Sequence, residues 1–145
     1  MKQQNGFSLV EILVVLVILG LLVSVVAPTV LNRADDARVQ KVYADFANIE
    51  TALKLYRLDN FNYPSTEQGL EALVAPSGLD PVPRNFKEGG YLERIPQDPW
   101  GRPYLYLSPG DNGEFDLYSL GADGLTGGEK QNADLGNWDG DNPDT

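Results

Sequence analysis

"NGFSLVEILVVLVILGLLVSVVAP", residues 5–28, decides the architecture of this chain, and one side chain in it is out of keeping. Glu11 is the only charge between Lys2 and Arg33, and it stands at the head of a long apolar run. From Ile12 to Asn32 there are 21 uncharged residues, with Gly20, Ser24 and Pro28 interrupting the hydrophobic text. About 20 helical residues cross the ~30 Å hydrocarbon core of a bilayer, so the run is long enough to span one. A carboxylate there costs several kcal/mol unless it is paired or protonated. An ordinary secretory signal peptide fits poorly, because Glu11 enters the apolar region and Val25-Val26-Ala27 is a weak substitute for an A-x-A cleavage site. Charge counting does not orient the span, since Lys2 precedes it while Arg33, Arg38 and Lys41 lie beyond it.

Beyond Pro28 the text becomes one-sided. Val39, Val42, Phe46, Ile49, Leu53 and Tyr56 recur at spacings of 3, 4, 3, 4 and 3, which places them on one helical face. That stripe predicts a core face laid against a sheet, with Arg38, Lys41, Asp45, Glu50 and Lys54 elsewhere around the axis. The helix should end near Asp59, where Asn60, Asn62 and Pro64 break it. Pro28 removes a backbone donor between the two halves and, with Gly20, should bend or loosen the region. One long helix, apolar all round and then one-sided, suits a subunit that stands in a membrane and later packs among copies of itself.

The remaining text is short elements. Ser65-Thr66-Glu67-Gln68 has the spacing of a capping box and predicts a small helix through Leu70, Leu73 and Val74. Asp98-Pro99-Trp100-Gly101 has the preferences of a type I turn. Tyr104–Leu107 and Glu114–Leu120 alternate as strands, with residues 108–113 between them as a hairpin loop. The final 25 residues are Gly- and Asp-rich and predict no regular structure.

Composition closes off several chemistries. At 145 residues there is room for one domain beside the apolar segment. With no His and no Cys, neither a Ser-His-Asp nor a Cys-His nucleophile can be built, and any metal must be a hard cation on oxygen ligands. A net charge of -10 argues against nucleic acid as a partner. The charge is uneven: from Asp111 onward nine carboxylates face one Lys130, a balance of -8. A solvated acidic tail and a cation site both fit that balance.

The junction text then carries a resemblance. "GFSLVEILVVLVILG" resembles the class III leader junction of type IV pilins and pseudopilins: a short polar leader (Met1–Gly6), Gly before Phe, Glu at the fifth position after the junction, and an apolar run. "NFNYPSTEQGLEALV", "DPWGRPYLYLSPG", "FDLYSLGADG" and "ADLGNW" are similar to the major pseudopilins of type II secretion systems. The likeness runs from Gly6 to Trp138 and is weak over Val82–Tyr91 and the last seven residues. It implies an α+β, type IV pilin-like fold: one long N-terminal helix packed on a small antiparallel sheet, with a calcium-stabilised C-terminal loop. The implied organisation is a cleaved leader over 1–6, a transmembrane and filament-core segment over 7–32, a periplasmic domain over 33–138 and an acidic tail over 139–145.

The resemblance also implies processing. A prepilin peptidase would cut between Gly6 and Phe7 and N-methylate the new Phe7 amine. Glu11 would then pair with that amine in its own chain or in a neighbouring protomer; four residues apart in one helix, the two share a face. Before the cut Glu11 lacks this partner and is expected to sit near the interface or stay protonated. In assembled filaments of this kind the stretch matching Gly20 to Pro28 is often extended, whereas an isolated subunit is expected to keep an intact, mildly kinked helix.

The acidic loop "SLGADGLTGGEKQNADLGNW" gains a reading the same way. Calcium takes six to eight oxygens, and a Gly-rich loop supplies carboxylates, amides and carbonyls at low steric cost. The order of an EF-hand is absent. The resemblance implies a calcium site on the Asp123 and Asp134 side chains and the Leu120 carbonyl, with Asn132 and the Gln131 backbone as further ligands. Lys130 departs from the family pattern and sets a positive charge beside the ion. Asp139, Asp141 and Asp144 read as solvated tail.

The function implied is that of the main structural subunit of a periplasmic pseudopilus, a homopolymer that drives folded exoproteins across the outer membrane. Its partners would be prepilin peptidase, minor pseudopilins, an inner-membrane assembly platform with its ATPase, and an outer-membrane secretin. A pilin of a true type IV pilus is the alternative, disfavoured by "STEQGL", "DPWG" and the lack of a C-terminal Cys pair. A membrane-anchored enzyme with paired carboxylates, such as a glycosidase, is a third, but nothing in the text fixes such a pair on a scaffold.

Overall fold

The computed structural model describes residues 6–139 and, over residues 27–32, the backbone alone. Most of the leader, the final six residues with Asp141 and Asp144, and the side chain of Pro28 therefore lie outside the described residues. The chain divides into two compact units, Met1–Ala37 and Arg38–Thr145. One helix, α1 (Leu9–Asn60), runs continuously through Gly20 and position 28.

In the first unit the apolar text forms helix and nothing else. Residues Leu9–Val26 have a mean hydropathy of 3.1 and none of them is buried. Ser24 is accommodated because its hydroxyl donates to the Leu21 carbonyl at 2.7 Å. Gly20 has ordinary helical backbone, and a Cβ added there would meet nothing within 4 Å.

In the second unit the 3-4 stripe becomes the core. Val42, Phe46, Ile49, Leu53 and Tyr56 are all buried, and Ala52 joins them. Val39 is half-buried, so the stripe enters the core one turn later than its spacing suggests. Against it pack Leu70, Leu73, Tyr104, Tyr106, Phe115 and Leu117. The helix stops at Asn60, whose buried amide donates to the Tyr56 carbonyl at 3.1 Å and whose side-chain oxygen accepts from the Asn85 N–H at 3.0 Å.

The capping box at Ser65 closes in both directions. Gln68 N–H donates to Ser65 Oγ at 3.3 Å, and Ser65 N–H donates to Gln68 Oε1 at 2.9 Å. Instead of the expected α-helix, the box leads into a single 3₁₀ turn, Leu70–Leu73. Gly69, at φ 63°, breaks helical geometry at its start, and the buried Gln68 amide is drawn away to the carbonyls of Leu79 and Pro81.

Two strands form where alternation placed them, β1 (Leu105–Leu107) and β2 (Asp116–Ser119), antiparallel with Tyr106 opposite Leu117. The hairpin loop is held by Asp116, whose buried carboxylate accepts from the N–H groups of Asp111 and Asn112. Over residues 121–139 the chain is more regular than expected. A 3₁₀ turn covers Lys130–Asn132, and β3 (Leu135–Gly136) adds to β2, giving the order β1-β2-β3. A two-residue strand leaves no periodicity to read; Asn137 secures it, accepting from the Leu117 N–H at 3.0 Å through Oδ1 and donating its own N–H to the Leu117 carbonyl at 2.9 Å.

Candidate functional site

At the N-terminal end, Ser8-Leu9-Val10-Glu11 opens α1. Ser8 N–H donates to Glu11 Oε2 at 2.7 Å, and Glu11 N–H donates to Ser8 Oγ at 3.2 Å. This is a reciprocal capping box that satisfies donors the first helical turn leaves open. The lone carboxylate thus has a local hydrogen-bond partner, the Ser8 N–H, in the leader-bearing chain. The signal of this box in the sequence is the S-x-x-E spacing of Ser8 and Glu11, directly before the apolar run. Gly6 and Phe7, on either side of the expected cut, are both exposed, Phe7 at 82%. A peptidase meets no packing there, and the Cβ that Gly6 lacks would meet nothing within 4 Å.

The second candidate is the loop after β2. The chain turns back at Leu120, whose carbonyl accepts from Gly124 N–H at 3.2 Å. Asp123 is exposed, and its Oδ1 accepts from Leu125 N–H at 3.0 Å. Ala122 N–H donates to the Gln131 carbonyl at 2.8 Å, which brings the Asp123 turn beside the Lys130–Asn132 turn. The approach is close enough to require glycine. A Cβ on buried Gly121 would lie 2.6 Å from the Ala133 carbonyl oxygen and 2.9 Å from that of Asn132, at φ 62°.

Asp134 completes the loop. Its Oδ2 accepts from Gly127 N–H at 2.8 Å, while Oδ1 is buried and has no hydrogen-bond partner among the described residues. A buried carboxylate oxygen of this kind calls for a hydrogen-bond donor or a cation. The five residues expected to ligate calcium are therefore gathered in one compact loop, with oxygen donors only. They differ in availability: Asp134 Oδ1 and Asp123 Oδ2 are uncommitted among the hydrogen bonds described, whereas the Gln131 carbonyl already holds Ala122. No group of three acidic side chains suited to a metal forms among the described residues, so any cation here must rely on carbonyl and amide oxygens beside two carboxylates. Lys130 is exposed at φ 56°.

A third feature had no signature in the text. Asp98 closes the expected turn, its carbonyl accepting from Gly101 N–H at 3.0 Å. Its side chain is buried, Oδ1 accepting from the N–H groups of Trp100 and Arg102 and Oδ2 from the Ser119 hydroxyl at 2.8 Å. From this turn the Arg102 guanidinium reaches the Gly121 carbonyl and donates to it.

A continuous N-terminal helix, apolar and exposed in its first unit and core-forming in its second, with a small antiparallel sheet, defines a pilin-like subunit. The prokaryotic N-terminal methylation motif matches residues 1–27, and the type II secretion system protein G family matches residues 29–138. The chain is 56% identical over 138 residues to the type II secretion system core protein G of Pseudomonas aeruginosa, covering 95% of this chain and 97% of that one. It is 54% identical to the protein of the same name from Vibrio cholerae, over 95% and 94% of the two chains. Its fold matches the crystal structure of the major pseudopilin from the type 2 secretion system of enterohaemorrhagic Escherichia coli with a TM-score of 0.66 at 47% identity, covering 73% of this chain and 90% of the other. The chain belongs to the type II secretion system protein G family, the major pseudopilins.

That membership makes it a structural subunit and not an enzyme, and it implies assembly into a pseudopilus. The methylation motif implies a prepilin peptidase, and the exposed apolar helix Leu9–Val26 is the membrane anchor.

Proposed function

We infer that this subunit forms the main shaft of a periplasmic pseudopilus whose growth drives folded exoproteins through an outer-membrane secretin. The globular part stands in the periplasm, and minor pseudopilins, an inner-membrane platform and its ATPase act on the shaft. The observation that carries this reading is the first unit of α1: an 18-residue hydrophobic window, Leu9–Val26, none of it buried, with one carboxylate, Glu11, near its start. Such a surface is stable only in lipid or against copies of itself.

Peptidase cleavage between Gly6 and Phe7 and N-methylation of Phe7 create a cation four residues before Glu11. Glu11 exchanges its bond to Ser8 N–H for that cation, in its own chain or in an adjoining protomer, because an ionic partner offsets burial in an apolar bundle better than a neutral amide does. Glu11→Ala should leave cleavage and insertion intact and abolish pseudopilus formation; normal filaments from this variant would overturn the pairing. The mature N-terminal peptide should begin at Phe7 and weigh one CH2 more than the unmodified sequence.

The loop after β2 holds calcium, which supplies positive charge to oxygens the chain leaves uncompensated. Asp134 Oδ1, orphaned and buried, supports this most directly, with Asp123, the Leu120 carbonyl and Asn132 as companions. A chelator should lower the thermal midpoint of the full chain, and an unchanged midpoint would remove the ion from the account.

A further inference from the structure

We propose that Arg102 is the positioning residue of the cation loop, an inference that rests on the reading of residues 120–134 as a calcium site. The loop's own hydrogen bonds do not fix the Asp123 turn to the sheet. Within it, Gly124 N–H bonds to Leu120 and Ala122 N–H to Gln131, both partners belonging to the loop or its edge. Arg102 supplies the external anchor. Its terminal nitrogen donates to the Gly121 carbonyl, and its guanidinium lies against the α-carbon of Gly124, where an added Cβ would come within 2.8 Å of the Arg102 Nη1 nitrogen. The two residues so held flank Ala122 and Asp123, and the Asp123 side chain emerges from the clamped turn.

The clamp is itself seated. Asp98 Oδ2 lies 3.9 Å from Arg102 Nε, and the same oxygen accepts the Ser119 hydroxyl at the end of β2. Asp98 also takes the Arg102 backbone N–H at 2.8 Å, whereas the buried Nε makes no hydrogen bond among the described residues and meets this 1% exposed carboxylate as an ion pair only. A guanidinium beside a cation site is unfavourable by charge alone. Its charge is offset by Asp98, and its planar fork gives directed donors that an ammonium cannot reproduce. Arg102 thus acts on the ion through the loop, orienting the Leu120 carbonyl and Asp123 before a cation arrives.

The test uses the full chain in detergent micelles, with calcium affinity measured by titration and thermal midpoints measured in calcium and in chelator. Outer residues that orient ligands change metal affinity by about 10- to 100-fold, and Arg102→Met and Arg102→Lys should each weaken calcium by that order. The lysine variant keeps the charge, so its loss isolates geometry. Gly124→Ala, which would push the guanidinium aside at φ 70°, should weaken calcium in the same direction. If Arg102→Met tightens calcium, the side chain acts by repulsion and the proposal fails. If both variants lower the midpoint in chelator but bind calcium as the parent does, Arg102 is a fold element only and the proposal fails. A parent chain that binds no calcium defeats the site reading and this inference together, whereas parent binding with unaltered variants defeats this inference alone.

Discussion

Tyr104 Oη donates to Asp45 Oδ2 at 2.6 Å, joining the residue before β1 to the core-forming stretch of α1. Lys41 Nζ lies 2.5 Å from the same oxygen and donates its second bond to the Gln97 carbonyl at 3.0 Å. One carboxylate thereby ties helix, sheet and the approach to the Asp98 turn, and both of its partners are needed because it is only 15% exposed. Tyr104→Phe leaves Asp45 one donor short. A cost of about 1–3 kcal/mol is expected in denaturant unfolding, the range for leaving a buried acceptor without its donor. A change well below that range would mean water replaces the phenol.

The same packing makes stability pH-dependent at the alkaline end. Burial raises the phenol of Tyr104 above its ordinary value, with the Asp45 bond adding to it, and burial pushes Tyr106 up to about 12. A raised folded-state value means that the stabilising contribution is complete below the unfolded value near 10 and is lost as pH climbs through the folded value. The urea midpoint should be unaffected by these groups near neutrality and fall between pH 10 and 12. Tyr106→Phe should make that fall shallower; an equal slope would show that Tyr106 ionises as freely folded as unfolded.

Leu53, on α1, is fully buried in the core that also holds Leu70, Leu73, Tyr106 and Leu117. Leu53→Ala should destabilise the globular unit by about 2–5 kcal/mol through lost transfer energy and a residual cavity. Val39→Ala, at a half-buried position, should cost distinctly less. Equal costs would mean that the stripe is buried evenly along the helix.

Gly136 in β3 leaves no room for a side chain, because a Cβ there would overlap the indole of Trp138, whose Cδ2 would lie at 2.6 Å. Gly136→Ala should displace that ring from Tyr118, which it faces at a centroid distance of 6.0 Å. Near-ultraviolet dichroism should lose intensity and the thermal midpoint should drop. An unchanged spectrum would place the indole elsewhere in solution.

Ser8→Ala removes half of the N-terminal capping box. About 1 kcal/mol of local helix stability should be lost, read as faster amide exchange at Glu11 in the uncut chain in micelles. Unchanged exchange would show that Ser8 Oγ is not the acceptor in solution.

Much of the architecture was legible because its causes are local. The apolar run, the 3-4 spacing from Val42 to Tyr56, the Ser65–Gln68 box and the Asp98–Gly101 turn each depend on residues a few positions apart, and each leaves a pattern in the text. The junction around Gly6, Phe7 and Glu11 is equally local and specific in order. Burial of polar groups was not legible. Asp98, Asp116 and Ser119 have the composition of surface residues, yet all three are buried, because their partners come from turns folded onto them.

The amino-acid order alone settled a membrane-length helix with one acid at its head, then a one-sided helix and a hairpin, since periodicity and turn chemistry need no distant contact. Tertiary structure decided which groups of the loop after β2 are paired and which are left without a described partner. Asp134 is bound on one oxygen and left bare on the other, and Arg102 holds the Gly121 carbonyl from 19 residues away. Electrostatic need of that kind exists only once folding has removed water from the group and fixed the distance to every alternative partner.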